Sequence, residues 1–231
     1  MAELSELEKK IGVEFKNKDL LLQALVHRSY LNENPNFKVK HNERLEFLGD
    51  AVLELVVSDY LYEQYPQEPE GQMTAWRAAL VNANMLFDIA AKLGLGNYLL
   101  LSRGEAKDIN KARMYLIANA FEALIGAIYL DQGIEAAQIF IEKNVLVELG
   151  RVIKEKLYRD SKSLFQEEAQ DKAGITPIYE VLREWGPDHA KHFVIGVFLG
   201  DELVAQGEGM SKQSAQQEAA KEALKVKNWG S

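Results

Sequence analysis

The spacing of apolar residues changes once along this chain, near residue 159, and that change limits the possible fold more than any other feature. Before it, apolar positions recur with helical spacing in Leu20-Leu21-Leu22-Gln23-Ala24-Leu25 and over residues 42–64, 72–94, 112–131 and 134–155. Breakers separate these stretches at Asn32 to Asn36, Pro66 to Gly71, Gly94 to Asn97 and Asp131 to Gly133. With no sustained two-residue alternation, residues 1–157 predict an all-α domain. After the change, Leu164 to Lys172 reads as a helix stopped near Gly174. Tyr179, Val181 and Trp185 then share one strand face with Arg183, and Phe193, Ile195, Val197 and Leu199 alternate as in a half-buried strand. A third short strand runs from Leu203 to Gln206 and ends in Gly207-Glu208-Gly209. Gly186-Pro187-Asp188 and Gly200-Asp201 mark turns. A last helix from Ser211 puts Ala215, Ala219, Ala220, Ala223 and Leu224 inward. Residues 158–231 therefore predict an α+β domain of α-β-β-β-α order, making the chain multidomain.

The chemistry gathers in two helical segments. In the stretch from His41 to Leu55, Leu45, Leu48, Val52 and Leu55 fall on one side of a helix, and Glu43, Glu46, Asp50 and Glu54 on another. Glu46 and Asp50 are one turn apart, where like charges repel by a few tenths of a kcal/mol unless a cation sits between them. A solvated acidic face would show the same pattern. The second segment, Tyr115 to Leu130, is apolar but for one charge, Glu122, with Asn119 one turn earlier on the same side and Ala123 and Gly126 leaving room there. A buried carboxylate needs a partner, either a basic side chain or a metal. Glu46 and Asp50 from one helix with Asn119 and Glu122 from the other would form an all-oxygen site. The chain has no cysteine and four histidines, so a hard cation such as Mg²⁺ fits that set better than zinc. By residues alone, this supports hydrolysis of some phosphate ester.

Composition sets limits. The absence of cysteine excludes disulfide scaffolds, thiolate metal sites and cysteine nucleophiles, and fits a reducing cytoplasm. The N-terminus lacks the basic and apolar regions of a signal peptide, and no apolar stretch approaches the ~18–20 residues needed to span a bilayer. The formal net charge is −8, shared equally by residues 1–159 and 160–231. That argues against binding nucleic acid by bulk electrostatics and leaves room for local basic contacts.

Asn42-Glu43-Arg44-Leu45-Glu46-Phe47-Leu48-Gly49-Asp50-Ala51-Val52-Leu53 resembles the signature stretch of the ribonuclease III family. Ala24 to Tyr30, Glu70-Gly71 with Leu80-Val81, and Phe121 to Ala127 resemble its flanking segments in order, and Asp160 to Lys227 is similar to a double-stranded-RNA-binding domain. The resemblance implies a cytoplasmic homodimeric endonuclease that cuts double-stranded RNA with Mg²⁺, Mn²⁺ substituting, and uses no organic cofactor. It implies 5′-phosphate and 3′-hydroxyl ends with short 3′ overhangs, and a role in ribosomal RNA precursor and messenger RNA processing. The implied metal ligands are Glu46, Asp50, Asn119 and Glu122, with Asp50 and Glu122 catalytic. Glu43 and Glu70 are implied as accessory acids of the cleft, and Phe47 as a dimer contact. The family usually has Asp where Asn119 stands, which removes one negative charge and predicts weaker metal affinity. The alternative is a duplex-RNA-binding protein silenced by Asn119. In the second domain, Gln166, Glu167 and Gln170, the loop with His189, and Ser211, Lys212 and Gln213 would touch the duplex. Met210 and Gln213 stand where lysine or another basic residue is frequent, so affinity should be modest.

Overall fold

The computed structural model describes residues 2–107, 111–187 and 191–229 and divides the chain into two compact units, 1–158 and 159–231. The first unit is helical. Its helices are α1 (Ala2–Ile11), α2 (Lys18–Ala24), α3 (Arg28–Glu33), α4 (Glu43–Gln64), α5 (Glu70–Val81), α6 (Ala83–Lys92), α7 (Arg103–Lys107), α8 (Lys111–Gln132), α9 (Ile134–Asn144) and α10 (Leu149–Lys154). The stretch over 72–94 is not continuous. It breaks at Asn82, whose backbone is extended and whose side chain accepts the Met85 N–H, so that it caps α6. The stretch over 134–155 also divides, with a 3₁₀ turn at Leu146–Glu148.

α8 is the axis of this unit. Ala118, Ala120, Phe121, Ala123, Leu124, Ile125, Ala127 and Ile128 are buried around it, which explains an apolar run with no polar face. The sequence reading needs correction here. Ala112–Gln132 has the length and hydropathy of a membrane span, but 56% of that window is buried inside the unit, as expected of a core helix.

The crossing of α4 over α8 is the tightest contact in the unit. A Cβ on Gly49 would lie 1.8 Å from the Glu122 carbonyl oxygen, and one on Gly126 would lie 2.2 Å from that of Leu45. No other residue type fits at either position without moving a backbone. Glycine in the interior of a helix costs about 0.5–1 kcal/mol relative to alanine. Here it lets two backbones touch.

The second unit runs α11 (Ser161–Ala173), β1 (Ile178–Trp185), β2 (His192–Leu199), β3 (Glu202–Gly209) and α12 (Lys212–Lys227), an antiparallel sheet in the order β1-β2-β3 with two helices. Gly174, at φ +66°, ends α11. Phe165, Ala169, Val197, Ala219, Ala220 and Ala223 form its core. Two readings of the strands are revised. A bulge between Val181 and Arg183 shifts the register, so Tyr179 and Val181 pair with the inward residues Val197 and Ile195, while Arg183 and Trp185 pair with the outward Val194 and His192. A bulge turns every later side chain to the other face. The last strand also continues through Gly207 and Gly209. A Cβ on Gly207 would lie 2.1 Å from the Ala219 nitrogen, so this glycine marks the seat of α12 and not a strand end.

Candidate metal centre and nucleic-acid interface

The glycine crossing positions the acidic residues. Glu46 and Asp50 flank Gly49 on α4, and Asn119 and Glu122 precede Gly126 on α8, so the contact that brings the backbones together brings these four side chains to one place. Glu46, Asn119 and Glu122 are half-buried and Asp50 is exposed. The Asn119 amide faces the Glu46 carboxylate and acts to lower its pKa, an effect an ionised Asp in its place could not have. Burial raises the Glu46 carboxyl above its usual range, and Glu43 and Asp50 add to the rise. Burial pushes the Glu122 carboxyl up to about 8, with Asp50 and then Glu46 adding to it. No basic group contributes to that balance, and among the described residues no lysine or arginine forms an ion pair with Glu46, Asp50 or Glu122. A cluster of acids gathered by the fold and left without an internal cation is suited to a metal from outside. Among the described residues, no three Asp, Glu or His side chains are already arranged around one ion position. The donors are all oxygen, which fits a hard divalent cation.

Beside Glu46 and Asn119 opens a cleft of about 280 Å³, also lined by His27, Arg28, Asn42, Glu43 and Leu116. Glu43 lies 3.6 Å from Arg28 Nε and 3.7 Å from His41 Nδ1. It lines this cleft together with Glu46. Glu70 is elsewhere. It begins α5, accepts a hydrogen bond from Thr74 Oγ1 at 2.9 Å and lines a separate groove with Leu55, Tyr62 and Arg77. Within one chain it does not join Glu46, Asp50, Asn119 and Glu122. Phe47 is 81% exposed and borders an apolar hollow with Leu20, Leu48 and Leu130. The sequence reading gave His27 and Arg28 no role, because nothing in their local sequence reveals that α3 begins at the acidic crossing. Burial holds the His27 imidazole below its usual range, against an opposing effect of Glu105.

In the second unit, Gln166, Glu167 and Gln170 are exposed on one side of α11, around a shallow depression with Ser163. Ser211 caps α12 by accepting the Ser214 N–H at 3.1 Å, and the Ser214 hydroxyl returns a bond in a capping box. Lys212 and Gln213 are exposed in its first turn. His189 lies outside the described residues.

The chain thus joins a helical unit with acids gathered at a helix crossing to a unit of α-β-β-β-α order. Comparison with known proteins gives the family. Residues 17–149 match the model described as Ribonuclease-III-like, and residues 161–227 match the double-stranded RNA binding motif. The chain is 47% identical over 223 residues to Ribonuclease 3 of Carboxydothermus hydrogenoformans, covering 96% of this chain and 95% of that one. It is 43% identical to Ribonuclease 3 of Nitratiruptor sp., covering 98% and 97%. The crystal structure of the nuclease domain of ribonuclease III from Campylobacter jejuni matches with a TM-score of 0.55 at 42% identity, over 62% of this chain and 97% of that one. The chain belongs to the ribonuclease III family and is an endoribonuclease with a double-stranded-RNA-binding domain.

Proposed function

We propose that the chain hydrolyses phosphodiester bonds in double-stranded RNA with Mg²⁺, or Mn²⁺ in its place, held by Glu46, Asp50, Asn119 and Glu122. The observation that carries this is the Gly49–Gly126 crossing, which brings together three carboxylates with no internal cation. A divalent cation there supplies positive charge for the phosphate and an activated water. The chain's own residues do the rest. Glu46, Asp50 and Glu122 provide the negative charge that holds the cation. Asn119 adds a neutral carbonyl oxygen and steadies Glu46. Asp50 and Glu122, at the tightest part of the crossing, stand against the reacting phosphate. Glu43 borders the cleft beside them.

Kinship with the family implies products with 5′-phosphate and 3′-hydroxyl ends. Short 3′ overhangs require two centres offset across the duplex, hence a homodimer. The outer side of α4 supports one: Phe47, Leu55 and Tyr62 are 81%, 61% and 73% exposed along a single face. A related structure, from Campylobacter jejuni, is described by its region involved in dimer formation of the nuclease domain. Glu70, beside Leu55 and Tyr62, would face the second copy. Gln166, Glu167, Gln170, His189, Ser211, Lys212 and Gln213 would grip the duplex through its minor groove and phosphates. Ribosomal RNA precursors and structured messages as substrates, and a cytoplasmic setting, rest on family kinship alone.

The test is cleavage of a defined RNA hairpin with analysis of both ends. Mg²⁺-dependent cuts with 5′-phosphates and 3′ overhangs are expected. Intact hairpin at saturating Mg²⁺ and Mn²⁺, with duplex binding retained, would instead support the reading of a silenced binding protein.

A further inference from the structure

The cleft beside the acidic set contains a hydrogen-bond donor that the reading above leaves unused. His27 caps α3, its Nδ1 accepting the Ser29 N–H at 3.3 Å and lying 2.8 Å from Ser29 Oγ. Ser29 Oγ also accepts the Ser102 N–H at 3.0 Å, which leaves its own hydrogen for the imidazole. A neutral ring that accepts at Nδ1 carries its proton on Nε2. Two chain segments, residues 27–29 and Ser102, thus fix both the orientation and the tautomer of this side chain.

The remaining groups lining the cleft offer little to an incoming phosphate. Glu43 and Glu46 are acceptors and repel it. The Asn42 side chain is 4% exposed and donates to the Ala24 carbonyl at 3.2 Å. The Asn119 amide faces the Glu46 carboxylate, whose pKa it acts to lower. Leu116 has no donor. Among the described lining residues outside the acidic wall, His27 Nε2–H and the exposed Arg28 guanidinium are the donors that can meet a phosphate, the latter 3.6 Å from Glu43.

We propose that His27 is an RNA-contacting residue of the nuclease centre, its Nε2–H donating to a nonbridging phosphate oxygen of the strand in this cleft, next to Arg28. This rests on the nuclease reading given above. His27 then offsets the repulsion between the acidic wall and the backbone it must approach. A charge-assisted hydrogen bond from a fixed donor is directional, so it sets where the strand lies relative to Glu46.

Two substitutions separate this role from capping. His27→Asn keeps a favoured cap, since its Oδ1 can accept the Ser29 N–H, but it has no distal donor. His27→Gln extends an amide N–H toward the former Nε2 position and caps poorly. For His27→Asn, the melting temperature should stay close to that of the wild type while kcat/KM on a short duplex falls about tenfold or more, mainly through KM. His27→Gln should melt lower and yet recover most of that loss. The Mg²⁺ concentration for half-maximal rate should be unchanged in both. Activities that follow melting temperature across the three proteins overturn the proposal, as does a raised Mg²⁺ requirement in His27→Asn. A scan of neutral methylphosphonate linkages along the cut strand adds a test that does not depend on variant stability. One position should cost the wild type about tenfold and cost His27→Asn nothing further; the absence of any such position overturns the proposal. Failure of the wild type to cut any duplex would defeat the nuclease reading itself, a different outcome from each of these.

Discussion

Both halves of this molecule pack two elements backbone against backbone through glycine, and they use the contact for opposite purposes. In the nuclease unit, Gly49 and Gly126 let α4 touch α8, and the gap they close is flanked by Glu46, Asp50, Asn119 and Glu122. In the RNA-binding unit, Gly207 and Gly209 seat α12 on β3 against Ser214, Ala215, Glu218 and Ala219, of which Ala215 and Ala219 are fully buried. The first contact holds charge where the fold alone would disfavour it. The second holds an apolar core, and its functional residues stay on the solvent side. A close-packed crossing therefore serves an apolar core in one unit and gathers acidic side chains in the other.

The largest test of this contrast removes the charge. Glu122→Ala should lower the cleavage rate by about a thousandfold or more, since metal-centred charge stabilisation contributes several kcal/mol. Binding of duplex RNA, followed by filter retention, should stay within about twofold, because its contacts lie mainly in the other unit. Loss of both together would erase the division of labour.

Next in size is the pair Gly126→Ala and Gly207→Ala. Each inserts a methyl group against backbone and should cost about 1–3 kcal/mol, seen by calorimetry as a lower melting temperature for the unit concerned. Only Gly126→Ala should also lower the cleavage rate at saturating RNA, by about a hundredfold, because displacement of about 1 Å at a catalytic set costs that much. Equal loss of rate in Gly207→Ala would contradict the contrast.

The third test uses pH. Glu122 is raised from the ordinary carboxylate value to about 8. A carboxyl raised in the folded state contributes stability that is fully present below its unfolded value and is lost as pH rises through the folded one. The metal-free protein should therefore lose stability between roughly pH 4.5 and pH 8, and Mg²⁺ should restore more of it at the alkaline end, where no proton competes. Melting curves across pH with and without Mg²⁺ measure this. Glu122→Gln should flatten the dependence and weaken the Mg²⁺ effect. A Mg²⁺ effect that grows toward acid pH would refute the assignment.

A smaller effect is expected from Asn119→Asp. The added charge should lower the half-saturating Mg²⁺ concentration about fivefold, on the order of 1 kcal/mol at a partly screened site. Titration calorimetry gives that number directly, and tighter binding by the native Asn119 would show that its favourable effect on the Glu46 carboxylate outweighs the charge. The smallest effect belongs to Lys212→Ala, which should weaken duplex binding similarly for all sequences and reduce the salt slope by about one.

Much of this was legible in the chain. The i, i+4 spacing of Glu46 and Asp50, and the single charge of Glu122 in an apolar helix, named the chemical residues before any contact was visible, because local periodicity fixes which side chains share a face. The α-β-β-β-α order was legible for the same reason. What escaped was set by a single residue acting at a distance. Asn82 breaks a periodic stretch by capping α6, the extra residue Leu182 turns Arg183 and Trp185 outward, and Gly207 extends a strand that its composition seemed to end. Glu70 was grouped with the other acids by motif, and only its position in a separate groove shows that one chain does not bring them together.

By itself the sequence determined the kinds of element, their order, and the acids that could bind a cation, since these depend on backbone preference and spacing over a few residues. The tertiary structure alone decided that Gly49 meets Gly126, that His27 from a third helix borders the resulting cleft, and that Glu70 does not. Those depend on which distant backbones can approach, and steric exclusion between elements leaves no local periodic signal.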